Sequence, residues 1–193
     1  MKKTTLIMLL FTAFSTLAQG KFKTSTAIVN FEASVPFFEE VKAVNKQGKI
    51  VLDPKTGSLT CVLVMRDFHF KMELMEEHFN ENYIESHRYP KAVFKGKIVK
   101  FDLNDIDELD KEYKIAGKLY LHGKSKEIVV NAFLKKIGGG IQIVSNFQIM
   151  VDDFDIDIPY MIANKISKTV NTDIIGTLQG EGFHSNPVAV ANK

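Results

Sequence analysis

The stretch KIAGKLYLHGKSKEIVVNAF, residues 114–133, holds two apolar runs on either side of a turn. In its first half Ile115, Leu119 and Leu121 fall on one parity, with polar or smaller residues between them. Successive side chains of a β-strand point to opposite faces, so this spacing predicts a strand with one buried face. His122 and Gly123 interrupt the alternation, and glycine permits the backbone that a tight turn needs. The stretch therefore predicts a β-hairpin.

The same period of two recurs along most of the chain. Six further segments show it, separated by turn signals such as Asp53-Pro54: residues 26–34, 49–53, 58–65, 92–101, 140–149 and 170–179. With the two strands of the hairpin they make eight, which predicts an all-β, mostly antiparallel fold. The period alone leaves a sandwich and a barrel open. An eight-stranded barrel can fill its interior with side chains or hold one small ligand.

Two segments depart from the strand pattern. Residues 71–86 place Met72, Met75 and Phe79 on one stripe at helical spacing, which predicts a helix of about four turns. This helix should end before Tyr89-Pro90, because the residue before proline disfavours the helical region. Residues 157–168 predict a second short helix with Pro159 near its start. Both helices are expected to cap the mouth of a barrel.

The N-terminal residues have the layout of a secretory signal peptide. Two lysines precede an uncharged apolar run that is too short for a comfortable membrane span, followed by small residues. We predict a signal peptide over residues 1–18, one domain over 19–180 and a loosely ordered tail over 181–193. The protein is therefore expected to be exported, periplasmic or extracellular, and not membrane-spanning.

Charge and cysteine content exclude some functional classes. Without Lys2 and Lys3 the 25 lysines and arginines become 23, equal to the 23 acidic residues, and no long basic block occurs. This balance does not favour nucleic-acid binding. Cys61 is the only cysteine and lies in an apolar run, so a buried structural thiol is expected there.

No pattern of catalytic or metal-binding residues is evident. The histidines lack standard zinc spacings, and no serine lies in a glycine elbow. We expect His78 to form a hydrogen bond across the rim and His122 to close the hairpin. The acidic segments 101–110 and 151–159 lack the glycine and glutamate of an EF-hand and are interpreted as solvated loops. The second one also fits an edge strand. No catalytic residue, metal site or cofactor is predicted.

Phenylalanine is abundant, with 15 residues in the chain and no tryptophan. Four phenylalanines are assigned to inward strand faces: Phe31, Phe94, Phe133 and Phe147. An ordinary aromatic core explains them. The alternative is a cavity, lined by these rings, that accepts a long apolar ligand. Composition alone favours the core.

Two motifs in sequential order resemble the YceI-like family of exported bacterial proteins. The first is HFNENYIESHRYPKAVFKG, residues 78–96, and the second is the hairpin stretch, residues 114–133. TSTAIVNFEAS and QGKIVLDPKTGSL resemble the family's first strand and second strand pair, so the resemblance extends from about Thr24 to Leu178. The chain departs from the family pattern at Asn45 and at Asp153-Phe154-Asp155.

The resemblance implies an extended, lipocalin-like, eight-stranded antiparallel barrel with one or two short capping helices. It also implies a binding role in which the interior holds a long-chain isoprenoid or another apolar lipid. The expected ligand-binding residues are Val29, Phe31, Phe79, Phe94, Ile98, Leu119, Leu121, Phe133 and Phe147. A hydrolase or isomerase that uses His78 or His122, and a filled barrel with a stress or interaction role, are the alternatives. A homodimer is left open.

Overall fold

The computed structural model describes residues 20–180. Their strands, in chain order, are β1 (Phe22–Ser34), β2 (Lys42–Leu52), β3 (Ser58–Val64), β4 (His69–Phe70), β5 (Lys91–Ile98), β6 (Lys111–Leu121), β7 (Lys124–Ile137), β8 (Gly140–Met150) and β9 (Ile166–Gly180). One α-helix, α1 (Glu73–His78), continues into a π-helical turn, Phe79–Tyr83. Short 3₁₀ turns cover Met65–Asp67, Leu103–Asp105, Val151–Phe154 and Tyr160–Ile162.

The eight long strands close into an antiparallel barrel. β1 pairs with both β2 and β9, and the other long strands pair between them in the order β9-β8-β7-β6-β5-β3-β2. The two-residue β4 pairs with the start of β2, where Phe70 lies opposite Ala43. The predicted eight-stranded antiparallel barrel is confirmed. Closure leaves the long strands without a free edge, which removes the usual route to edge-to-edge aggregation.

The hairpin of residues 114–133 joins β6 and β7 through a two-residue turn. Leu121 pairs with Lys124, so His122 and Gly123 alone form the turn. Their φ angles are 49° and 74°, the left-handed conformation that the tightest hairpins require at both central positions. The prediction that His122 closes this hairpin is confirmed.

A glycine pair makes room for an aromatic ring inside the barrel. Gly96 of β5 pairs directly with Gly117 of β6, and the ring of Phe94 lies against both. A Cβ on Gly117 would be 2.4 Å from the Gly96 Cα and 2.8 Å from the Phe94 Cζ. These glycines therefore position Phe94 flat on the inner wall.

The predicted helices are shorter than expected, or absent. Only Glu73–Tyr83 is helical within residues 71–86, and its second half widens where the Asn80 side chain donates to the Glu76 carbonyl. The helix predicted over 157–168 is wrong, because β9 already begins at Ile166 and only a 3₁₀ turn precedes it. The edge-strand alternative for 151–159 is also wrong. That segment begins with a 3₁₀ turn and reverses at Asp155, where φ is 53°.

The barrel interior has two halves. At the end where Phe22 pairs with Leu52 and Gly180, it is filled by large side chains such as Ile98, Ile106 and Leu134. The other half is ringed by the loops 35–41, 65–90 and 151–165 and by the turn 122–123. No helix among the described residues is long and apolar enough to cross a bilayer. The predicted signal peptide and tail lie outside the described residues.

Candidate functional site

A cavity of about 530 Å³ occupies the half of the barrel opposite the end where Phe22 pairs with Gly180. Its floor is formed by Ile115, Val130 and Ile143, which belong to the filled half. Its walls come from alternate residues of the long strands. At its mouth α1, the 35–41 loop and residues 156–167 contribute side chains. The volume falls within the range of about 300–1,000 Å³ that is typical of small-molecule sites.

Seven of the nine expected ligand-binding residues line this cavity: Val29, Phe31, Phe79, Phe94, Leu119, Leu121 and Phe147. Ile98 does not line it, because it is packed in the filled half beneath the floor. Whether the seven bind a ligand stays a prediction, but the structure brings them together around one space.

The inward assignment of Phe133 is wrong. Its side chain is 45% exposed on the outer face of β7, opposite Val144 of β8. The neighbours Ala132 and Leu134 are fully buried and occupy the inner face instead. The inward face of this strand was chosen because it would contain its largest side chain. Since side chains alternate strictly, that choice placed Phe133 on the wrong face.

An aromatic cluster at the mouth includes two rings that the sequence did not single out. Phe68 and Phe70 pack with Phe31 and Phe79, with ring centroids 5.1–6.0 Å apart. Glu76 of α1 accepts a hydrogen bond of 3.0 Å from the Phe70 N–H and so ties the helix to β4. All four rings line the cavity. The cluster anchors the helix over one side of the mouth.

The segment after β8 forms another part of the wall. Phe154 is fully buried, and Ile156 and Ile158 are buried and line the cavity. Asp155 and Asp157 alternate with them on the exposed side. This alternation is visible in the sequence, where the segment was interpreted as a solvated loop and an edge strand was the alternative. It instead marks an irregular segment folded over the mouth.

Few polar groups face the cavity, and the charged ones stand at its mouth. Glu39, His78 and Lys165 are exposed members of the lining. The Ser145 hydroxyl donates to the Asn131 carbonyl over 2.6 Å. Burial raises the pKa of the Cys61 thiol to about 12, so this side chain stays neutral. The deep part of the cavity therefore offers an apolar surface.

His122 joins three mouth segments but does not line the cavity. Its Nδ1 lies 3.0 Å from the Phe154 carbonyl and its Nε2 lies 3.0 Å from Glu85 Oε2. Both oxygens are acceptors, so both bonds form together only when each ring nitrogen carries a proton. The hydrogen bond from Arg88, then that from His122, holds the pKa of Glu85 below its usual value. These two contacts of His122 connect the β6–β7 hairpin to the 65–90 loop and to the 151–158 segment.

The remaining candidate groups do not assemble into a metal site. Within residues 20–180 no cluster of three or more His, Cys, Asp or Glu side chains could hold a metal ion. Acidic residues of the 151–157 segment pair with lysines instead: Asp152 with Lys168, Asp153 with Lys126 and Asp155 with Lys124. His78 forms none of the expected hydrogen bonds across the rim in the described part of the chain, so that prediction is wrong.

Comparisons with known proteins agree with this architecture. A family model described as a YceI-like domain matches residues 14–177. A polyisoprenoid binding domain from Saccharophagus degradans implicated in plant cell wall breakdown superposes with a TM-score of 0.72 at 15% identity, over 83% of this chain and 98% of that one. BcnA of Burkholderia cenocepacia gives 0.63 at 16% identity, over 77% and 94%.

The YceI protein of Campylobacter jejuni gives a TM-score of 0.51 at 18% identity, over 68% of this chain and 80% of that one. No curated protein matches the chain. At these identities the solved structures show a shared fold.

Proposed function

Because the chain belongs to the YceI-like family, we propose that its barrel binds a long apolar chain of the polyisoprenoid type. The observation that carries the proposal is the cavity of about 530 Å³ with its apolar depth. A similar fold occurs in a domain described as polyisoprenoid binding. An uncharged hydrocarbon needs no polar partner inside the barrel, and each methylene that leaves water contributes about 0.8 kcal/mol.

The geometry supports binding without catalysis. A general base needs a histidine within hydrogen-bonding reach of the substrate, oriented by a partner. His122 has such a partner in Glu85 but lies outside the cavity lining. His78 lines the mouth but has no carboxylate partner among the described residues. The filled-barrel alternative is disfavoured by the size of the cavity.

In this proposal the ligand enters the cavity with its hydrocarbon end first. The charged members of the lining stand at the mouth, so an amphiphile would leave its polar head there and bury its tail toward Ile115 and Ile143.

We also propose export to the periplasm or the outside. The support for export is the signal-peptide pattern of residues 1–18.

Native mass spectrometry of the protein, purified without detergent from its own cells, tests the proposed function. We expect a bound apolar mass that solvent extraction removes and that a prenyl alcohol replaces. A protein that carries no adduct as isolated, and takes up no prenyl alcohol after extraction, would argue against the proposal.

A further inference from the structure

Three apolar side chains beside the mouth are almost completely exposed. Phe37 is fully exposed, Tyr160 is 95% exposed and Met161 is 87% exposed. None of them lines the cavity. A single exposed apolar residue is ordinary, but a group of them beside an opening marks an interaction surface.

These three residues stand on two neighbouring loops. Ser34, where the 35–41 loop begins, pairs with Ile166, where the 159–165 segment ends. Phe38 and Ile162, on the same two loops, line the cavity. The exposed tips therefore flank the opening through which a ligand must pass. Phe37 also has a φ of 70°, a conformation that a side chain adopts only at some energetic cost.

The charge around the mouth restricts what this surface can meet. The mouth loops 35–41, 65–90 and 151–165 carry twelve acidic residues and four lysines or arginines. An acidic excess remains although four of these carboxylates pair with lysines of the adjoining strands: Lys42, Lys124, Lys126 and Lys168. Two copies placed mouth to mouth would bring two acidic rims together, and an anionic surface would be repelled in the same way. A surface without net charge is not repelled by the acidic residues of the mouth. Phe22 and Gly180, which pair with each other, lie at the opposite end of the barrel.

We propose that Phe37, Tyr160 and Met161 insert into the surface of a zwitterionic lipid bilayer and hold the cavity mouth against it. This inference rests on the proposed function, because an apolar ligand resides in membranes. Phe, Tyr and Met side chains suit the boundary between head groups and acyl chains. Direct contact would let a hydrocarbon chain move between bilayer and cavity without crossing water.

The absence of tryptophan from the chain allows a direct test. Phe37→Trp places one reporter at the mouth. Leu109→Trp places a matched reporter at a 75% exposed position in the loop at the opposite end. With phosphatidylcholine vesicles, the Phe37→Trp emission should shift to shorter wavelength and be quenched by brominated lipid, while the Leu109→Trp emission stays unchanged. Tyr160→Trp provides a second mouth reporter on the other loop and should behave like Phe37→Trp.

Equal responses at both ends, or none at the mouth, would overturn the inference. So would a response that requires anionic lipid, or one that appears without vesicles as protein concentration rises, since the latter indicates self-association. Phe37→Ser should lower vesicle partitioning about tenfold, and Leu109→Ser should not change it. Binding of a 20-carbon prenyl alcohol, measured without vesicles, separates the two proposals. Retained alcohol binding without vesicle insertion would contradict only the membrane contact.

Discussion

Replacing Phe154 with alanine is expected to lower the free energy of unfolding by about 3–5 kcal/mol. Phe154 is the largest fully buried side chain of the barrel and packs in the cluster near the mouth with Val151, Ile156 and Ile158. Its carbonyl also accepts from His122. Loss of the ring removes buried apolar contact and leaves a void that the closed barrel can collapse only in part.

Urea unfolding followed by circular dichroism measures this change. Asp153→Ala is the control on the same turn, because its ion pair with Lys126 is at the surface and should contribute about 1 kcal/mol or less. If Phe154→Ala and the control destabilise the protein equally, the 151–158 segment does not pack over the mouth as described. We also expect weaker ligand binding, since Ile156 and Ile158 would lose their support.

Leu119→Trp is expected to weaken binding of a prenyl alcohol by about 100-fold or more. Leu119 projects into the cavity from β6, where it pairs with Phe94. The indole would occupy space that several ligand carbons need, and each displaced methylene forfeits about 0.8 kcal/mol. Because the ring enters an existing space, the fold should tolerate it.

Tyr120→Trp is the matched control, since the next residue points to the outer face and is 42% exposed. Isothermal titration of both variants gives the comparison, with circular dichroism as the check on folding. Unchanged affinity in Leu119→Trp would mean that the ligand binds elsewhere. An equal loss in Tyr120→Trp would mean that the effect is not one of filling the cavity.

The strands and most of the cavity could be predicted because their signal is local. Alternation along one strand determines which side chains share a face, so Phe31, Leu119 and Leu121 were assigned correctly. The assignment of Phe133 was wrong because it followed the size of the ring. Asn131 and Lys135 share the parity of Phe133, whereas the other parity is apolar throughout and faces the interior: Ile128, Val130, Ala132 and Leu134. The size of a side chain therefore does not predict whether it faces the barrel interior, whereas the alternation along the strand does.

The architecture of the mouth could not be predicted from the sequence. His122 and Glu85 are 37 residues apart, and Phe154 is 32 residues beyond His122, so no short window shows their contact. The apparent helix at 157–168 has the right spacing of apolar residues. Pairing with β1 and β8 nevertheless draws Ile166 and Thr169 into β9. Tertiary pairing overrode local preference there.

The capacity of the cavity tests the central claim most directly. A cavity of about 150 Å³ holds the six carbons of benzene. In proportion, 530 Å³ holds roughly 20 carbons. Titration with prenyl alcohols of increasing length should give affinity that rises steeply up to about 20 carbons and then levels off, because further units would remain in solvent. Affinity that does not depend on chain length would contradict a barrel that binds its ligand by enclosing the hydrocarbon.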